Sequence, residues 1–335
     1  MEERKQRQTP HVFVILAILL LMASALTWLV PAGSYQREFH EAAGQTVVVP
    51  GSFAHTAPSP VVPWQLPRLL FETLTTGSAP QLIFFVLLLG GAFEIILESG
   101  AVAALCAWVI RRFRRRRVWI VPAFAAGIYN PFSVGVAQTI AELPLYSGAW
   151  LRWLLLAALV PVTAAYILRR AGEPVLSGER EPLAEEALAP RQGLVLALLF
   201  GALATVVWGV GARGWKVPEI AAVFLVLGIA CGAAAGFSAN RICALETAGC
   251  RKMVSGALTI GMAAALRLVL TQGGILDSVV HGLIQVVERL PSWGQLLGMF
   301  YANALLDLLI TSGSGHAAVA MPLMVPLSDV LGLSR

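Results

Sequence analysis

Residues 82–117 read LIFFVLLLGGAFEIILESGAVAALCAWVIRRFRRRR, a long apolar run interrupted by Glu94, Glu98 and small residues and closed by six arginines. About twenty apolar residues cross the hydrocarbon core of a bilayer, roughly 30 Å thick. Arginine and lysine collect in cytoplasmic loops. The stretch therefore reads as a helix over 82–110 that enters the membrane from outside and ends in a basic cytoplasmic loop. This decides the fold class: an all-α polytopic membrane protein.

The same pattern recurs on both sides. Spans are expected at 11–30, 118–147, 150–168, 193–211, 217–236 and 256–272, with an apolar pair over 294–331. Composition agrees: 57% of residues are hydrophobic and 13% charged, against about a quarter charged in a soluble domain. Mean hydropathy is +0.75. The first run follows Arg4, Lys5 and Arg7 as a signal peptide would. At about nineteen residues it is long enough to span, and it reads as a retained helix. Arg4, Lys5 and Arg7, the 111–117 arginines, Arg169, Arg170, Arg180 and Arg191, and Arg241, Arg251 and Lys252 all fall on one side of this alternation. Segment 31–80 holds only Arg37 and Arg68. The N-terminus is thus expected in the cytoplasm, with a multi-pass chain in the cytoplasmic (inner) membrane. The basic residues border spans and do not form a soluble stripe, so nucleic acid is not an expected partner. Cys106, Cys231, Cys243 and Cys250 lack metal-ligand spacing and read as small buried residues.

Segment 31–80, rich in Pro, Gly and Thr with β-prone Thr46 to Val49, reads as an extracytoplasmic cap. Segment 169–192, with Pro174, Pro182 and Pro190 among charges, reads as a cytoplasmic linker. It divides a first repeat, 1–168, from a second, 193–335. Gly90-Gly91-Ala92-Phe93-Glu94 before Gly100-Ala101-Val102 resembles Ala263-Ala264-Ala265-Leu266-Arg267 before Gly273-Gly274-Ile275, on helices of opposite direction. That is the pattern of inverted-topology repeats; chance similarity is the other reading.

Two places break the helical pattern. At Asn130-Pro131-Phe132-Ser133, with Gln138 beyond, Asn suits an N-cap and Pro the first helical position. A mid-membrane helix start lining a cavity fits these residues, and so does a proline kink. At Thr311-Ser312-Gly313-Ser314-Gly315-His316, glycines and hydroxyls suit the tip of a re-entrant hairpin, preceded by Asn303 and Asp307. A half-helix beginning near His316 would turn free N–H groups toward an anion. Charges inside spans are costly; Glu94 and Arg267 occupy equivalent repeat positions and are expected to form a buried pair. Asp277 reads as a cap or a water-facing group near the outer surface. Gly228, Gly232 and Gly236 have the spacing of close helix contact. Ser314 beside His316 misses the G-x-S-x-G pattern at Ser312, and neither a P-loop nor a dinucleotide fingerprint occurs. No enzyme activity and no cofactor are expected.

The chain resembles a known family. Pro10 to Leu16, Val30 to Tyr35, Val49 to Phe53, Gly90 to Phe93, Asn130 to Gln138, Leu143 to Gly148, Gly273 to Asp277, Ser312 to Gly315 and Met321-Pro322 look like the YfcC-type branch of the C4-dicarboxylate anaerobic carriers (DcuC-like, ion transporter superfamily). The resemblance implies inverted repeats, each with a re-entrant hairpin and an interrupted helix, around a midplane site. Transport would be secondary, driven by Na⁺, H⁺ or exchange, with carboxylates or amino acids as solutes. Asn130, Ser133, Ser312 and Ser314 would lie at the polar tips; Pro131, Gln138, Asn303, Thr311, Gly313 and Gly315 complete the expected binding set. Against the family, the first hairpin looks deleted near 118–125, the chain stops before the second interrupted helix, and Ala263-Ala264 stands where Ala-Arg is expected. The expectation is a carrier of small organic anions or amino acids in a lipid bilayer, with a homodimer left open. Its rivals are a transport-incompetent remnant and an intramembrane hydrolase.

Overall fold

A computed structural model of the protein describes residues 12–40, 45–112, 134–145, 147–170, 189–309 and 313–333. Its helices are α1 (Val12–Leu29), α2 (Leu66–Thr75), α3 (Ala79–Glu98), α4 (Ala101–Arg112), α5 (Val136–Ile140), α6 (Ala149–Arg170), α7 (Pro190–Arg213), α8 (Val217–Ala235), α9 (Ala239–Gln272), α10 (Leu276–Val287), α11 (Ser292–Leu309) and α12 (Gly313–Val330). Five of the described helices, α1, α3, α7, α8 and α9, are long and apolar enough to cross a membrane. The chain packs as two compact units. One combines Met1–Ile83, Val136–Leu143 and Ser255–Arg335; the other combines Phe84–Gly135 and Pro144–Val254. These boundaries group residues by packing, whereas the repeats expected from the sequence would divide the chain at 169–192.

In the first unit, α1 buries Leu16, Leu20, Ala23, Ser24 and Thr27 along one face and leaves Val14, Ile18, Leu21 and Met22 exposed. Lipid suits those exposed side chains as well as protein does, so cohesion within a bilayer rests on close packing and polar ties. Leu16 packs with Ala263, Ala318 and Val319, and Leu20 and Ala23 with Val61, Leu69, Ala265 and Val269. The polar ties are local: Ser24 Oγ donates to the Val61 carbonyl at 2.7 Å, and the Val61 amide donates to Thr27 Oγ1 at 3.0 Å.

The segment between α1 and α2 forms two antiparallel ladders. β1 (Gly33–Ser34) pairs with β4 (Ala54–His55). β2 (Arg37–His40) pairs with β3 (Gln45–Val48), Arg37 opposite Val48. Glycine is required at 33, where a Cβ would strike the Phe53 ring. The Gly33 amide donates to the Gly274 carbonyl at 2.9 Å, and Ser278 Oγ to the Pro31 carbonyl at 2.7 Å.

In the second unit, Phe224 of α8 meets Phe85 and Phe93 of α3, ring centroids 6.4 and 6.3 Å apart. Gly228 faces Ala92 and Ile95, and Gly232 faces Ile242. Gly236 is not a packing residue: with φ 83° it caps α8. The α7–α8 turn closes with Gly214 at φ 64°.

Two expected spans change. The single helix over 82–110 is two, because Gly100 at φ 71° ends α3. Ser99 Oγ then accepts the Ala101 amide at 3.2 Å and starts α4. The left-handed conformation costs glycine nothing. The same device ends α9 at Gly274, φ 67°, where the Ile275 amide donates to the Leu270 carbonyl at 3.0 Å. Each break precedes a helix of 12 residues, α4 and α10. The second change is that the expected loop 237–255 is helical, making α9 34 residues long, about 51 Å at 1.5 Å per residue. Charged residues there kept 239–255 out of a hydropathy window, but Ala, Leu, Glu, Arg, Lys and Met are good helix formers. The deletion expected near 118–125, the basic run 113–117 and most of the 169–192 linker lie outside the described residues.

Candidate functional site

The end of the first unit that carries the β-ladders is built around Asp277, in the first turn of α10. Asp277 does not face water: its side chain is 6% exposed and pairs with Arg37, at 39%. Arg37 Nη1 and Nη2 donate to its two oxygens at 3.0 and 2.6 Å, and the Tyr35 amide donates at 2.9 Å. Tyr35 Oη lies 2.8 Å from His281 Nδ1, and the Phe53 ring stacks on His281 at 4.1 Å. Burial, with the Asp277 and Glu288 charges, pushes the Tyr35 hydroxyl above its ordinary pKa.

The β2–β3 hairpin is tied down at a second edge. The Thr46 amide donates to Glu142 Oε2 at 2.9 Å, and the Val48 amide to Asp329 Oδ2 at 3.2 Å. Glu142, two residues beyond α5, has φ 57°, alone among the described non-glycine residues in being left-handed. Beneath the hairpin is a cavity of about 170 Å³ lined by Arg37, Glu142, Arg267 and Asp329 over an apolar floor that includes Met321 and Pro322. Arg37 is engaged by Asp277. Arg267 is exposed and takes part in none of the ion pairs among the described residues. The cavity thus offers one uncommitted cation opposite two carboxylates.

Of the residues expected to bind solute, Asn130, Pro131, Ser133, Thr311 and Ser312 lie outside the described residues. Gln138 is buried on α5, and α5 packs against α12. α12 begins at Gly313, three residues before the expected start; Ser314 stands in its first turn and Gly315 is buried there. Asn303 on α11 donates from Nδ2 to the Met299 carbonyl at 2.9 Å and places Oδ1 3.3 Å from His316 Nε2. Asp307 Oδ1 is 3.7 Å from His316 Nδ1. Asn303 and Asp307 thus tie α11 to the first turn of α12.

In the second unit, Glu94 does not take Arg267 as its partner. Lys252 Nζ donates to both Glu94 oxygens at 2.6 and 2.7 Å, with Glu94 16% and Lys252 62% exposed. The repeat alignment misses this because the packing of α3 on α9 selects the pair. A Cβ on Gly249 would strike the Gly90 carbonyl oxygen and come within 2.6 Å of Gly91 Cα. Backbones that close place Glu94, one turn past Gly90, within reach of Lys252. At the C-terminal end of α3, Arg241 pairs with Glu98 at 2.9 Å. Sequence reading also missed Glu142 and Asp329, which carry no motif. Lys252 and Glu246 were hidden by taking 237–255 as a loop.

Membrane-length helices and the ion pairs on them define a multi-pass membrane protein, whose first unit holds a charged cavity of about 170 Å³. The family model for DcuC, C4-dicarboxylate anaerobic carrier, matches residues 9–128 and 123–335, and the chain belongs to that family of membrane transporters. A protein of Escherichia coli strain K12 named "Putative basic amino acid antiporter YfcC" is 28% identical over 426 residues, covering 97% of this chain and 84% of that protein. A protein of Haemophilus influenzae Rd, described as uncharacterized, is 24% identical over 444 residues, covering 100% of this chain and 87% of its own length. Both alignments exceed the 335 residues of the chain, so each relative has segments without a counterpart here. The two stretches matched by the family model meet at 123–128. No solved structure matches.

Proposed function

We infer that the protein is a secondary active carrier of small organic anions or amino acids in the cytoplasmic membrane, with its N-terminus inside. The observation that carries this reading is Arg267 at the cavity of a transporter-family chain. A guanidinium at a cavity wall without an acid partner is suited to bind a carboxylate in bidentate fashion. A carboxylate is common to both solute classes. Glu142 and Asp329 offer acceptors to an ammonium group, which favours an amino acid over a dicarboxylate. The volume is below the roughly 300–1,000 Å³ of sites for drug-sized ligands, so the solute is small. The placement of basic residues supports the orientation.

The test is counterflow in proteoliposomes of the purified chain with labelled arginine and labelled succinate. Exchange of either one supports the carrier; exchange of neither, in vesicles where an intact relative works, refutes it. A second reading, a solute-binding relative that no longer transports, is favoured by the segments present only in the relatives. Solute-induced thermal stabilisation without flux would select it.

A further inference from the structure

The contact of α3 with α9 holds a group that neither the cavity nor the ion pairs use. Glu246 lies on α9, one turn before Gly249, and its carboxyl group fills the space where a Cβ on Gly91 would stand. Glycine at 91 is therefore what admits this carboxyl to the backbone of α3. Oε1 of Glu246 is shut off from solvent and has no hydrogen-bond partner. The residue joins none of the ion pairs among the described residues. The other acids of this helix contact are matched: Glu94 by Lys252 and Glu98 by Arg241. Cys250, one turn along α9, points its thiol at the Leu87 carbonyl, 3.3 Å away. Among the described residues, α8, which also packs on α3, carries Glu219 in its first turn and no other charged residue.

Glu246 as a residue is half-buried, but its Oε1 is cut off from water with no cation or donor, which disfavours the charged form and favours uptake of a proton. Glu246 stands on a helix long enough to cross a membrane, and an acid there whose buried oxygen has no partner is a candidate site for a proton. We propose that Glu246 is a proton-binding site and the coupling group of the carrier. In the packing described, the carboxyl is protonated and neutral; in a state that wets the α3–α9 contact, the O–H bond breaks, the proton leaves to water and the carboxylate remains. One oxygen suffices to hold a proton. A metal cation would need several, and the carbonyls nearest by are engaged within helices. The inference rests on the carrier reading.

The test uses the full chain with Glu246→Gln, which keeps the shape and fixes the neutral form, and Glu98→Gln as a control. In proteoliposomes, arginine and succinate are followed both in counterflow without a gradient and under an imposed pH gradient. The expected result is that E246Q keeps counterflow within about threefold of wild type and loses gradient-driven accumulation by at least tenfold, while E98Q keeps both. Accumulation by E246Q equal to wild type, or a wild-type carrier driven by a Na⁺ gradient and indifferent to pH, overturns the proposal. A second readout needs no solute: the infrared carbonyl band of a protonated carboxyl at neutral pH should be present in wild type and absent in E246Q. Identical spectra overturn the proposal. Loss of counterflow in wild type with the band present strikes the carrier reading alone.

Discussion

Replacing Arg37 by Ala should loosen the β2–β3 hairpin more than replacing Asp277 by Asn, although both break the same ion pair. Arg37 is 39% exposed and Asp277 only 6%. Asp277 accepts three N–H donors, two of them from Arg37. In Arg37→Ala a buried carboxylate is left with the Tyr35 amide alone. Breaking a buried pair by removing one partner costs about 3–5 kcal/mol; screening at the exposed guanidinium lowers this to about 2–3 kcal/mol. In Asp277→Asn the stranded group is an arginine that water reaches, and about 1 kcal/mol is expected. The assay is hydrogen exchange of the Thr46 and Val48 amides in the purified protein, which reports local opening of the hairpin. Two kcal/mol corresponds to about 30-fold faster exchange, against about fivefold for Asp277→Asn. An Asp277→Asn effect equal to or larger than that of Arg37→Ala would refute the reasoning, since the asymmetry of burial would then not set the cost.

Gly249→Ala forces a methyl onto the Gly90 carbonyl and Gly91 Cα and should destabilise by about 1–3 kcal/mol as an overpacked contact; Gly201→Ala, mid-helix in α7 with nothing within 4 Å, should stabilise by about 0.5–1 kcal/mol, both read by thermal unfolding in detergent. Arg267→Ala removes the uncommitted cation of the cavity and should raise the KM for solute about 10- to 100-fold, the worth of a hydrogen bond to a charged group, with protein yield unchanged. Tyr35, whose hydroxyl is raised above its usual pKa, holds its proton in the folded state when the unfolded chain has begun to lose it. It therefore contributes stability that is complete below about pH 10 and fades as pH rises through the folded value. Tyr35→Phe should flatten the decline in hairpin protection above that pH.

The membrane class and the helices expected at 11–30, 150–168, 193–211 and 217–236 were readable because hydropathy acts locally. α9 was cut short for the same reason: charge excludes a segment from a hydropathy window, yet Arg241 and Lys252 sit on a helix that continues to their acid partners on α3. The alignment of Glu94 with Arg267 compared positions in two repeats, whereas an ion pair forms between side chains that packing brings together. Asp277 looked like a surface cap because the arginine that buries it, Arg37, lies 240 residues away in sequence. Glu142 and Asp329 had no signal at all, since their roles come from the hairpin laid across them. At 99–101 and 273–275, by contrast, the paired glycine signals seen in sequence became two helix breaks of like geometry.

The amides of Thr46 and Val48 leave β3 on the same side, two residues apart, as alternate strand positions must. One reaches the chain just beyond α5 and the other the last turn of α12. A sheet edge that would otherwise invite another strand is thereby occupied by two carboxylates. Neither helix end is free to slide along its axis without dragging the strand, and through it the other, so the two move as one piece.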